Sequence, residues 1–238
     1  MAQERPPGGQ RVYGGLSPAE RVARRREQFL DAAVEVFGTV GWAGSTVADI
    51  CRAAKLSPRF FYDEFPSREV LFLATTDRVA SQVEQVVRDA IATGSGDVQT
   101  QARHVLTALA EYFTADPRTV RVALMESLAT PEFREQRRLL LASFVELAAR
   151  LMRPLRTTSD DAPERERRDL LSAGLLVGGV VEVLIAGATA NEAHPGAVPR
   201  TDTPKRLPTD LGALAVRRRG AAELVEHLTA LFTAAARL

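Results

Sequence analysis

Apolar residues recur three and four positions apart along most of this chain, and capping residues, prolines and glycines cut that pattern into about nine helices. Ser17-Pro18-Ala19-Glu20 has capping-box spacing with proline at the first helical position, so it starts the first helix. Phe29, Ala33, Val36, Phe37 and Val40 form its buried stripe, and Gly41 ends it. In the second helix Thr46 is the cap, Asp49 follows at capping-box spacing, and Val47, Ile50, Cys51 and Ala54 share one face. Ser57 and Pro58 start a third, with Leu56 and Phe61 placed to pack as a hydrophobic staple.

Ser67 caps a fourth helix running to about Ala92, and Asp97 caps a fifth after the 93–97 turn, with Val105, Leu106, Leu109 and Phe113 inward. Asp116-Pro117 begins the sixth and Thr130-Pro131 the seventh, which carries Leu140, Phe144, Leu147, Leu151 and Met152. The eighth runs from about Pro163 to Asn191, charged at first and then almost wholly apolar. The ninth spans Ala221 to Arg237, with Leu224, Val225, Leu228, Leu231 and Phe232 as its stripe. Residues 157–163 and the proline-rich stretch 192–212 read as loops, and residues 1–16, rich in Pro, Gly and charge, as a disordered arm. The expected architecture is all-α, with a three-helix domain at 17–66 and a larger helical domain at 67–238.

Two short helices joined by a tight turn form a helix-turn-helix, whose second helix can lie in the DNA major groove. Pro58, Arg59, Phe60, Tyr62 and Asp63 are left on the outside of that helix. Arg59, in its first turn, can bind guanine O6 and N7 through both arms of its guanidinium. Tyr62 offers a stiff ring with a hydroxyl at phosphate level, and Arg68 adds a cation at the start of the next helix.

These residues carry a resemblance. Thr46-x-x-Asp49-Ile50 followed by Ala54-x-Leu56-Ser57-x-x-x-Phe61-Tyr62-x-x-Phe65-x-Ser67-Arg68-Glu69 resembles the N-terminal domain of the TetR family of bacterial repressors. The likeness runs from Arg24 to Leu73, about a fifth of the chain, and is specific as a combined pattern. It implies an all-helical homodimer, three N-terminal helices on a palindromic operator, and a larger domain that dimerises and binds a small-molecule effector. Carried over by position, Thr46, Tyr62 and Arg68 would touch phosphates, while Ala48, Ser57, Pro58 and Arg59 would face bases. Two departures stand out. Lys55 occupies a turn position where the family usually has glycine, which strains a residue at positive φ. Glu64 stands where many relatives have a phosphate-contacting histidine, beside the acidic Asp63. Either that end of the helix tilts away from the backbone, or Asp63 accepts from a cytosine amine.

Composition changes the picture only in part. A length of 238 with 45% apolar residues allows a sizeable core. The formal charge is +1, and residues 1–70 carry ten Lys/Arg against nine Asp/Glu, so DNA affinity must come from local placement such as Arg21, Arg24, Arg25 and Arg26. That cluster reads equally as a solvated face. The single cysteine excludes an internal disulfide, and no signal peptide is visible, which together suit the cytoplasm. The longest apolar run, Ala173 to Ala190, is broken by Glu182 and four glycines and reads as a buried helix rather than a membrane span.

Small residues at Gly174, Gly178 and Gly179 permit close helix approach, and a four-helix bundle made by the eighth and ninth helices of two subunits would bury them. An effector pocket would lie among the fourth to eighth helices. Candidate lining residues are Phe113, Met125, Phe144, Met152 and Leu176, with His104, Tyr112 and Glu182 as polar orienters. The same residues read also as plain core, and Glu182 as an interface carboxylate. No cofactor, metal or membrane partner is expected. His104, His194 and His227 lack metal-ligand spacing, and Cys51 lies on a buried face, so an enzyme is not indicated. The alternative function is a helical protein-interaction module whose DNA-binding head has degenerated.

Overall fold

The computed structural model describes residues 17–153, 162–192 and 218–235, and among them all regular structure is helical. The expected arm at 1–16, the 192–212 loop except its first residue, and most of the 157–163 loop lie outside the described residues. The elements are α1 (Pro18–Thr39), α2 (Gly41–Gly44), α3 (Val47–Ala54), α4 (Pro58–Glu64), α5 (Arg68–Thr93), α6 (Val98–Ala115), α7 (Pro117–Val120), α8 (Pro131–Met152), α9 (Ala162–Glu192) and α10 (Arg218–Ala235). A π-turn at Arg121–Met125 and a 3-10 turn at Glu126–Leu128 connect α7 to α8.

The helix starts follow local chemistry. Ser17 and Glu20 close a reciprocal capping box, as do Thr46 and Asp49, and the side chains of Ser67, Asp97, Asp116 and Thr130 each accept a first-turn N–H. At the end of α1 the expectation fails: Val40 is 56% exposed instead of buried. It is the C-cap of α1, and Gly41 behind it takes φ 79, which turns the chain off the helix axis into the unexpected short helix α2.

That turn drives Trp42 inward in place of Val40. The indole lies edge-on to Phe72 (5.4 Å) and Phe133 (4.9 Å) and tilts against Phe37 at 5.6 Å, while Phe72 stacks on Phe133 at 4.1 Å. Phe37 belongs to the N-terminal head, Phe72 to α5 and Phe133 to α8. One hydrophobic cluster therefore runs across the expected boundary at residue 66 and ties the head to the body.

The sixth expected helix breaks after α7. Glu126, in the irregular segment that follows, accepts the Trp42 backbone N–H at 2.7 Å and pairs with Arg121 at 3.1 Å. The Ser127 hydroxyl donates back to the Ala123 carbonyl at 2.7 Å. The π-turn widens the helix so that Val122, Ala123 and Leu124 all point into the core while Glu126 reaches the head.

In the body, α5 packs on α6, α8 on α9, and α10 on α6. A stretch of α9 is long and apolar enough to cross a membrane, with mean hydropathy 2.1, yet only 11% of it is buried within this chain. Leu171, Leu175 and Glu182 are exposed along its outer side, and side-chain carbons built on Gly174, Gly178 and Gly179 would meet nothing within 4 Å. Positions 171, 175, 178, 179 and 182 recur at helical spacing, so this is one open, smooth face, apolar except for Glu182.

Candidate nucleic-acid interface

The head presents α4 outward because its own aromatic residues hold it from below. Phe61 and Phe65 are fully buried, Phe29 meets both rings edge-on at 5.6 and 6.2 Å, and Leu56 packs against the same cluster. Ser57, Pro58, Arg59, Phe60, Tyr62 and Asp63 are left exposed, with Ala48 of α3 also exposed. The Ser57 backbone caps α4 without using its hydroxyl, which stays available. Tyr62 is 59% exposed, and its ring stands edge-on to Phe61 at 5.2 Å, which limits its rotamers.

Lys55 sits in the turn at φ 56, ψ 36, the left-handed region expected from its position. The following N–H, that of Leu56, bonds the Cys51 carbonyl at 3.1 Å and closes the end of α3. A Cβ at this conformation costs about 1–2 kcal/mol, partly offset because glycine loses more backbone freedom on folding. Lys55→Gly is therefore expected to stabilise the chain by up to about 1 kcal/mol. Urea unfolding midpoints compare the two, and a destabilised variant would show that the lysine side chain makes a contact worth more than the strain.

Two expected phosphate contacts are otherwise engaged. Thr46 directs both its hydroxyl and its backbone N–H to the Asp49 carboxylate. The Thr46 hydroxyl, followed by Arg52, holds the Asp49 carboxyl below the usual carboxylate range. Arg68 lies over the Trp42 ring, 3.8 Å from its centroid, and donates to the Trp42 carbonyl at 3.1 Å, the Ser45 hydroxyl at 3.2 Å and the Ser45 carbonyl. It fixes the α2–α3 junction instead of facing outward. Of the three expected phosphate contacts, Thr46 and Tyr62 are exposed and Arg68 is partly buried.

Glu64 is turned away from that surface. Its carboxylate pairs with Arg25 of α1 at 3.4 Å and is 8% exposed, so its charge is balanced inside the head. Neither expected alternative, a tilted helix end or a cytosine contact by Asp63, is needed to keep the Glu64 carboxylate from phosphate. Arg26 lies over the Phe65 ring at 4.6 Å, and Arg24 is exposed.

A second feature lies in the body. A cavity of about 160 Å³ opens between α5, α6, α8, α9 and α10, with Ala123 and Leu124 of the π-turn in its wall. Every lining side chain is Val, Ala, Leu or Phe. Phe113, Phe144 and Leu176 are among them. The other expected pocket residues are not. His104 is exposed on α6, and Tyr112 donates to Gln82 at 2.9 Å beside a separate polar cleft. Met125 packs behind the wall, and Met152 is fully buried among Ala102, Ala149, Ala173 and Phe232. Glu182 points off the open face of α9. Helical spacing identified most inward residues, with Val40 and Leu231 (51% exposed) turned outward instead, but not which inward residues border empty space.

Residues 29–75 match the pattern of "Bacterial regulatory proteins, tetR family". The regulator BetI of Rhizobium meliloti is 32% identical over 143 residues, covering 58% of this chain and 68% of BetI. The chain belongs to the TetR family. The transcriptional repressor NicS of Pseudomonas putida is 26% identical over 110 residues, covering 46% of this chain and 51% of NicS, so the likeness there spans about half of that relative. The fatty acid degradation regulator FadR of Bacillus halodurans shares the fold, with a TM-score of 0.63 at 17% identity over 84% of this chain and 94% of FadR. This TetR-family chain thus carries a helix-turn-helix head on an all-helical body.

Sequence reasoning missed three interactions that shape this TetR-type head. Trp42, Glu126 and the Arg25–Glu64 pair act through partners distant in sequence. The lone tryptophan beside a glycine was the one available signal, since a large aromatic side chain at a helix end seldom stays exposed. Cys51 is buried, and burial pushes its thiol up, which keeps it protonated and unreactive.

Proposed function

We propose that this protein is a cytoplasmic repressor that binds a palindromic operator as a homodimer and releases it when an apolar small molecule enters the body. The observation that carries the reading is the outer surface of α4, where Ser57, Arg59, Phe60 and Tyr62 are exposed while the core beneath is fully formed. First-turn residues of such a helix reach base edges. The open face of α9 supports a dimer in which Glu182 meets the second subunit, and two heads at fixed separation read two half-sites about one helical turn apart.

The cavity lining supports the effector class. With no polar group in its wall, the cavity favours hydrocarbon over any ligand that must bury a charge or hydroxyl. The likeness to FadR concerns the fold, so the effector class rests on the lining. Ala123 and Leu124 border the cavity, and Glu126 two residues on holds the Trp42 N–H of the head. A ligand that favours a displaced π-turn would move the head through this link, and a differential affinity of a few kcal/mol suffices for a large population shift.

The test is fluorescence anisotropy of the purified protein on DNA flanking its own coding region, at two salt concentrations. Sequence-selective binding that weakens steeply with salt is expected; weak binding with no sequence preference, there and after selection from random DNA, would overturn the reading. Arg59→Ala should cost about 1–3 kcal/mol and relax preference at one base position per half-site. Equal losses on all sequences would make Arg59 a phosphate contact. The rival reading, a protein-interaction module with a degenerate head, rests on the acidic Asp63 and Glu64 at the end of α4, and Glu64 is paired with Arg25 inside the head.

A further inference from the structure

Phe60 is a large apolar side chain left outside a head that buries its neighbours Phe61 and Phe65 completely. It is 38% exposed and occupies the third position of α4, beside Arg59 and on the side that first-turn residues turn to the bases. The ring does not hang freely. The Arg25 guanidinium lies over it, 5.0 Å from its centroid, and Arg25 is in turn paired with Glu64 one helical turn further along α4.

This arrangement is costly to hold. Glu64 is nearly buried, and Arg25 Nε is buried with no hydrogen-bond partner among the described residues. Desolvating an ion pair seldom stabilises a fold by itself. What the pair does here is cover one side of Phe60 and fix the ring on α4 with its remaining surface toward the place of the DNA. A pre-oriented aromatic ring in the major groove has one complementary feature among the base edges, the thymine C5-methyl group.

We infer that Phe60 is a specificity residue that reads a thymine methyl in each half-site, with Arg25 and Glu64 as its positioning residues. The inference rests on the operator-binding reading. It adds an apolar contact at one base pair beside the hydrogen-bonded contact of Arg59.

The experiment starts from operator duplexes selected from random DNA by the full-length wild-type chain. Each thymine is then replaced singly by deoxyuridine, which removes the methyl group and leaves the base pairing intact. Wild type should bind about four-fold more weakly at one thymine per half-site, the worth of one buried methyl group. Phe60→Ala should lose that difference while still distinguishing the base pair read by Arg59. Phe60→Leu, which keeps an apolar side chain, should retain part of it, and Arg25→Ala should reduce it by loosening the ring. A wild-type chain indifferent to every thymine methyl, or a Phe60→Ala chain as sensitive as wild type, would overturn the assignment and leave operator binding intact. Failure to select any sequence would overturn operator binding and this inference with it.

Discussion

A Leu175→Glu chain is expected to run as a monomer by sedimentation and to bind its operator about 10²–10⁴-fold more weakly than wild type, the loss that follows when two linked heads become independent. Leu175 is 81% exposed and sits between Gly174 and Gly178 on the open face of α9. A glutamate there can be hydrated in the lone chain, so folding should be little affected, but in a two-fold interface it would be buried against apolar surface without a partner. Circular dichroism separates the two effects: helical content should match wild type while the sedimentation coefficient falls. A dimer of unchanged strength would move the interface elsewhere and leave the apolar face of α9 unexplained. A monomer that still binds one half-site weakly, with unchanged sequence preference, is the companion result expected from an intact head.

The second large effect is on stability. Phe72→Ala should cost about 3–5 kcal/mol, which for a chain of this size lowers the unfolding temperature by roughly 10 °C. Phe72 has no exposed surface and touches Phe37 of the head, Trp42 of α2 and Phe133 of α8, so its removal opens a void shared by three elements. Phe144→Ala is the control. That ring borders an existing cavity and is only partly buried, so fewer contacts are lost and the cost should be clearly smaller. Calorimetry at equal protein concentration checks both, because the proposed dimer would make the transition concentration-dependent. If the two variants unfold together, Phe72 is not the joint between head and body.

A second link from cavity to head lies beside the one the chain pattern suggests. The length of the fourth expected helix, α5, points to a lever that swings the head. The π-turn adds a shorter route, since Ala123 and Leu124 touch the cavity while Glu126 bonds the Trp42 backbone.

Much of the fold was legible because its signals act over three or four residues. The Thr46–Asp49 and Ser17–Glu20 boxes, the caps at Ser67, Asp97 and Thr130, and the prolines at first helical positions each set a helix start through hydrogen bonds that close locally. The staple of Leu56 and Phe61 and the left-handed Lys55 are equally local. The sequence by itself therefore determined the capped helix starts, most of the inward faces and the outward turn of α4.

Tertiary structure decided which polar side chains remained available. Arg68 finds the Trp42 carbonyl across 26 residues, Glu64 finds Arg25 across 39, and Glu126 finds the Trp42 N–H across 84. No periodicity records such pairs, because a charged side chain goes to the best partner the packed chain brings within reach, and that partner depends on where Gly41 turned the backbone. The cavity is of the same kind. Its wall is made of residues that helical spacing marks only as inward, and the empty space among them exists because five helices, each packed on its own neighbours, do not fill the volume they enclose.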